Sequence, residues 1–202
     1  NNISGGTWSI PANITGDGTY DIIAEQTDST GNTSPASNVL GIEVDRTKPS
    51  ITNITQDDVD GVINASEDED TSVTLSGAET GATYTLEVTS TGGGTSVTDI
   101  GTISAADEQI TGIDVASLND GVLTYEITLD DTAGNTATAS DTVDKDATLS
   151  TVLSFERQNP TAQNTNADSL TFRATFDEDV QNVDTGDFNV TNTTTAIDTV
   201  TD

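Results

Sequence analysis

The feature that most constrains this chain is a repeat. Asp17-Gly18-Thr19-Tyr20, Asp28-Ser29-Thr30-Gly31-Asn32 and Val44-Asp45-Arg46-Thr47 return in order as Asp120-Gly121 with Tyr125, Asp131-Thr132-Ala133-Gly134-Asn135 and Val143-Asp144-Lys145-Asp146. The displacement is 103 residues for Asp17 to Asp120 and for Asp28 to Asp131, and 99 for Asp45 to Asp144. A period of about 100 residues is the length of one immunoglobulin-like sandwich. The second unit then runs over 47–146 and is complete. Residues 1–46 match only the C-terminal half of the repeat, and 147–202 look like the opposite, N-terminal half of a further domain.

Alternation inside the complete unit predicts strands rather than helices. Ser72–Leu75, Tyr84–Val88, Val97–Ile103, Ile110–Val115, Leu123–Leu129 and Thr136–Val143 read as strands, with a Gly92-Gly93-Gly94 turn after the second. Leu123, Tyr125, Ile127 and Leu129 fall on one face, and Thr fills many outward positions, as β-branched residues do on a pleated surface. In the flanks, Gly6–Ser9, Leu149–Phe155, Leu170–Phe176 and Asp187–Thr191 are further strand candidates. No segment keeps a 3.6-residue period. The expected fold class is all-β, as tandem immunoglobulin-like sandwiches with essentially no helix. Tyr20 and Tyr125 are read as tyrosine corners, each a buried ring whose hydroxyl bonds nearby backbone. Trp8 is read as a core residue.

Composition then limits function. Thirty-five acids against five Lys and Arg give a formal charge of −30. Nucleic-acid backbones need clustered Lys and Arg, so that partner is excluded, and anionic membranes are disfavoured. No apolar run approaches the length of a membrane span. Cys, His and Met are absent, which removes thiol and imidazole chemistry and the usual zinc, iron and copper ligands. Absence of Met marks a mature form or an excised segment. A carboxylate pair could serve glycoside hydrolysis, but one Trp and three Tyr provide no sugar platform, so an enzyme is not expected. Hydrophobic residues make up only 32%. A thin core without disulfides calls for another staple, and calcium, which takes six to eight oxygen ligands, is the cation that suits so many carboxylates.

The motif series resembles the bacterial immunoglobulin-like repeats of large surface adhesins of the biofilm and RTX type. The resemblance covers 1–146, and Thr175–Val180 with Asp187-Phe188 resemble a related module. It implies a secreted, cell-surface stalk, non-catalytic, with calcium stiffening the joints and neighbouring immunoglobulin-like domains as partners. A cell-surface glycan or protein ligand would be met by regions outside this chain or, in an alternative reading, by a sandwich face or loop end of this chain acting as a carbohydrate- or host-surface-binding module. Val143-Asp144-Lys145-Asp146-Ala147 departs from the pattern by lacking the proline found at Pro49.

Sandwich topology distributes the candidate calcium ligands. Asp17 and Asp45 are expected to meet at the bottom of the first unit, and Asp120, Asp144 and Asp146 at the bottom of the second. The loop between the first two strands of the second unit should bring Asp57, Asp58 and Asp60 to the same end, followed by Glu67–Asp70. Asp28 and Asp131, in Gly-Asn turns at the opposite end, are candidate ligands for the joint above, or ordinary hairpin residues. The Asp-rich runs match neither the EF-hand loop nor the calcium β-roll nonapeptide. Two explanations of the half-domains stay open: a segment taken from a longer array, or an extracellular filament in which half-domains are completed between chains.

Overall fold

The computed structural model describes residues 9–58 and 60–189. The chain divides into two compact units, Asn1–Ala147 and Thr148–Asp202. The expected strands Gly6–Ser9 and Asp187–Thr191, and Trp8, fall wholly or partly outside the described residues.

The first unit opens with a hairpin, β1 (Gly18–Ile22) and β2 (Leu40–Val44). The complete sandwich follows: β3 (Asn53–Gln56), β4 (Val62–Ile63), β5 (Thr71–Ser76), β6 (Thr83–Ser90), β7 (Val97–Thr102), β8 (Glu108–Ile113), β9 (Gly121–Asp130) and β10 (Thr136–Lys145). One sheet has the order β3-β5-β8 and the other β4-β10-β9-β6-β7. The first strand is thus split, with β3 in one sheet and β4 crossing to pair in parallel with β10 in the other. This crossing sets the chain's path. The first strand runs in the same direction as the last, so the chain enters at one end of the sandwich and leaves at the other. Among the described residues the fold is all-β, with a single 3-10 turn at Thr185–Asp187.

The core is confined to residues 54–143. Leu123, Tyr125, Ile127 and Leu129 of β9 are fully buried, against Val73 and Leu75 of β5 and Leu86 and Val88 of β6. Side chains on a strand alternate between faces, so the central strand of the larger sheet gives every second residue to the core. β3 and β4 were not legible as strands because each is very short, yet each supplies one core residue, Ile54 and Ile63. A Tyr84 ring lying across Gly101 on β7 explains that glycine, since a Cβ there would approach the ring to 2.6 Å.

Strand pairing revises the alignment of the repeat. Gly18 faces Val44 and Gly121 faces Lys145. Asp45 is therefore equivalent to Asp146, not to Asp144, and Tyr20 is equivalent to Leu123. The offset arises in the first hairpin. Its backbone pairing slips by one residue between the Ser34–Gln26 and Ser37–Ala24 hydrogen bonds, and by one more before Ile22 meets Leu40. Tyr20 makes the expected backbone bond, its hydroxyl donating to the Gly16 carbonyl at 2.8 Å, but its ring is only half-buried because no second sheet covers it among the described residues. Tyr125 does not make that bond: it lies two residues further along its strand, and its hydroxyl pairs with the Thr71 hydroxyl at 2.9 Å, while Thr71 donates to the Ile113 carbonyl.

Two charged side chains, Lys145 and Asp68, are buried among these elements. Lys145 is 4% exposed, and its Nζ lies 3.1 Å from the Asp68 carboxylate, donating also to the carbonyls of Val115 and Leu118. The ammonium thus fastens the end of β10 to the turn before β5 and to the loop after β8. Its three protons meet three oxygens, the condition for tolerating a buried charge.

In the second unit, β11 (Val152–Asn159) and β12 (Thr171–Phe176) form an antiparallel hairpin. Phe155 stacks on Phe172 with centroids 5.4 Å apart, and on Phe188 at 6.1 Å. Asp187, expected in a strand, instead closes the 3-10 turn: its carboxylate accepts the Asp184 N–H while Asp184 accepts from Gly186.

Replacing Lys145 by Ala should cost about 3–5 kcal/mol, because Asp68 is then left buried without its counter-ion. Chemical denaturation monitored by circular dichroism measures the loss, and a cost no larger than that of an exposed Lys→Ala change would contradict the buried-pair reading.

Candidate metal centre

The crossing between β3 and β4 builds the site. Gln56, the last residue of β3, is held by the Asp141 carboxylate of β10 at 2.9 Å, and its own side-chain oxygen accepts the Asp58 N–H at 2.7 Å. Beyond β4 the chain turns back on itself: the Asn64 side chain accepts the Ser66 N–H, and Glu67 reaches back to the Asn64 N–H at 3.0 Å. The Glu67 bond is one half of a capping box, with the Asn64 side chain turned to Ser66 instead of Glu67, and it fixes Glu67 beside the crossing loop. The outcome is a group of three carboxylates, Asp58, Asp60 and Glu67, whose nearest oxygens all lie within 4.8 Å of one another. Asp58 and Glu67 border a recess of about 190 Å³ that also takes in Gln56, Asp70 and Thr71.

No Lys or Arg forms a salt bridge with these three acids among the described residues. Like charges this close repel by about 1 kcal/mol per pair in water, and by about 4 kcal/mol where the effective dielectric is near 20. Asp60 accepts one distant N–H, from Val62 at 3.3 Å. Asp58 Oδ2 is buried and accepts no hydrogen bond at all, although buried carboxylate oxygens nearly always have a donor. Burial pushes the Tyr125 phenol pKa upward, and the negative charge of Asp58 adds to the shift against an opposing hydrogen bond with Thr71. The donor set is wholly hard oxygen, so it fits calcium and excludes thiolate- or imidazole-seeking metals.

The other candidate ligands are arranged differently. Asp57 points away from the group, onto the outer face of the smaller sheet, where one oxygen accepts from Ser72, Thr74 and Gln109. Asp17 and Asp45 come together at the end of the first hairpin, as expected, with Thr47 donating to both and Arg46 paired to Asp17 at 3.3 Å. Asp120 accepts the Ala147 N–H, Asp144 is exposed on β10 opposite Val62 and Val122, and the Asp146 N–H bonds the Ile63 carbonyl. Asp120, Asp144 and Asp146 do not form a group of three converging carboxylates; the described residues hold that arrangement only at Asp58, Asp60 and Glu67. Glu67 was named in the sequence only as part of an acidic run. Its special place depends on the turn at Asn64, whose Asn-x-x-Glu spacing was the available signal.

Asp28 and Asp131 sit in their hairpin turns. Asp28 Oδ1 accepts from Thr30 and from the Asn32 N–H, and Oδ2 from the Asn32 amide. Asp131 repeats this with Ala133 and Asn135. Gly31 and Gly134, at φ of 96° and 90°, supply the left-handed step that each turn needs. Hydrogen bonds, first from the Asn side chains, hold both carboxyls below the ordinary value of 3.8.

No family model matches the chain, and no curated protein matches it. Among solved structures it is similar to the tetra-tandem repeat in the extending region of a large adhesion protein, at 26% identity and a TM-score of 0.41, over 73% of this chain and 36% of that one. It is also similar to a Ca2+-stabilized adhesin that helps an Antarctic bacterium reach out and bind ice, at 24% identity and a TM-score of 0.36, over 69% of this chain and 34% of that one. The chain spans roughly a third of the length of either.

The lowered pKa values fix a direction for the turns. A carboxyl whose folded pKa is depressed adds stability that is fully present above 3.8, its unfolded value, and fades as pH falls through the lower folded value. An NMR titration should find Asp131 ionised below pH 3.8, with the Asn135 side-chain amide keeping its bonded shift until the carboxyl protonates. A midpoint at or above the ordinary value would contradict the turn geometry.

Proposed function

We propose that the chain is a non-catalytic segment of an extracellular adhesin stalk, and that it binds calcium through Asp58, Asp60 and Glu67. The observation that carries the calcium reading is the buried Asp58 oxygen without a donor, set within three mutually close carboxylates. Calcium would supply the positive charge that the protein itself does not place there. Held by these three residues, the ion would tie the crossing loop between β3 and β4 to the turn at 64–70, where the first strand changes sheets and its backbone pairing is shortest. The stalk reading is supported by the repeat and by the chain's entry and exit at opposite ends of the sandwich. Calcium abundance outside cells would keep the crossing fastened there.

Thermal melting tests this. Calcium should raise the melting temperature of the chain and the chelator EGTA should reverse the rise; at one hundred times Kd the stabilisation is about 2.7 kcal/mol. In the double variant Asp58→Asn with Asp60→Asn, the response to calcium should disappear. No response in the unaltered chain would remove the calcium claim and leave the stalk.

A second reading, completion of half-domains between copies in a filament, is favoured by the exposed apolar faces of the two flanking hairpins. Ile22, Leu40 and Ile42 line one, and Val152, Phe155 and Phe172 the other, each between 38% and 62% exposed. Light scattering after size-exclusion chromatography decides it: a concentration-independent monomer rules the filament out, and growing assemblies favour it.

A further inference from the structure

We infer that the joint at residues 45–50 is fastened by the chain's own cation, Arg46, and keeps its geometry without calcium. This was the place where Asp17 and Asp45 suggested a metal. The structure puts a guanidinium there instead. Arg46 donates to the Ile14 carbonyl at 2.6 Å, to the Gly16 carbonyl at 3.0 Å and to Asp17 Oδ1 at 3.3 Å. The remaining Asp17 oxygen accepts the Thr47 hydroxyl at 3.0 Å, and Asp45 accepts the Thr47 N–H at 2.9 Å. Two backbone carbonyls and one aspartate form a hard-oxygen cage of the kind calcium uses, and a side chain already fills it.

The same kind of acceptor set, two carbonyls and one carboxylate, recurs at the end of the second repeat, where Lys145 meets the carbonyls of Val115 and Leu118 and the carboxylate of Asp68. The chain has only five Lys and Arg, and it uses one at the close of each repeat in this way. The two differ in burial, since Lys145 lies in the interior whereas the Arg46 and Asp17 side chains are about half exposed. Arg46 therefore acts by geometry rather than by strong electrostatics. A planar fork reaches three oxygens at once and fixes the linker against the hairpin.

The linker is also fixed against the sandwich. Asn135, in the turn between β9 and β10, donates to the Asp45 carbonyl at 3.2 Å. Pro49 is buried. Ser50 and Glu79 are joined by two hydrogen bonds, Ser50 N–H to the Glu79 carboxylate and Glu79 N–H to the Ser50 carbonyl. Hairpin, linker and sandwich are thus joined by one hydrogen-bonded path.

Cysteine is absent from the chain, so spin labels can be placed at Glu43→Cys on β2 and Glu126→Cys on β9, both exposed. Double electron–electron resonance should give one narrow distance distribution that is the same in calcium and in EGTA. Arg46→Gln should broaden it in both, and because Arg46 lies outside the core its melting temperature should barely change. Broadening by EGTA with Arg46 intact, or an unchanged distribution in Arg46→Gln, would overturn the inference. The variant Asp58→Asn with Asp60→Asn should keep the narrow distribution; broadening there would also overturn it. Because the inference does not depend on calcium binding at the crossing loop, loss of the melting response leaves it standing.

Discussion

The rest of the structure depends on the burial of alternate residues of β9 between two sheets. Leu123, Tyr125, Ile127 and Leu129 each lose all solvent exposure, and burying such a side chain is worth about 1.5–3 kcal/mol. β9 is also hydrogen-bonded on both edges, to β10 and β6. A chain with few apolar residues can fold when those it has are placed at this period on a central strand. Among the described residues the flanking hairpins have the alternation without an opposing sheet, so apolar residues such as Leu40 and Phe155 stay exposed and the core ends at residues 54 and 143.

That core is thin, and charge does part of the joining at its edges. Two kinds of acid can be distinguished. Asp17, Asp28, Asp57, Asp68 and Asp131 each have donors already aimed at them, from a side-chain cation, neutral side chains or a turn. Asp58, Asp60 and Glu67 share a small volume with almost none. The first kind explains how a chain of formal charge −30 stays folded: many of its carboxylates are acceptors in local structure. The second kind is where an external cation gains most, because no side-chain cation among the described residues relieves the repulsion there.

The mechanical consequence follows from the path of the chain. Tension along a stalk would load the first and last strands of the sandwich, which run in parallel and meet at β4 and β10 through only two residue pairs. The crossing loop lies just before that short pairing and Lys145 lies within it. A bound ion at the loop and a buried ammonium at the strand end would both resist separation of the same two segments.

Much of this was written in the sequence. Alternation gave the six longer strands of the sandwich and the inward face of β9, because a two-residue period is a local property of the chain. Short strands escaped, since two or four residues carry no period, and with them went the sheet crossing that creates the acidic group. Equivalence between repeats was also misread by two residues at Asp144, because slips in backbone pairing leave the motifs intact while moving their partners. Which carboxylates converge, and which already have a guanidinium, an ammonium or a turn amide beside them, was decided by tertiary structure alone: Asp68 finds Lys145 and Asp17 finds Arg46 across long stretches of chain, and no spacing of acids reports where the few cations will lie.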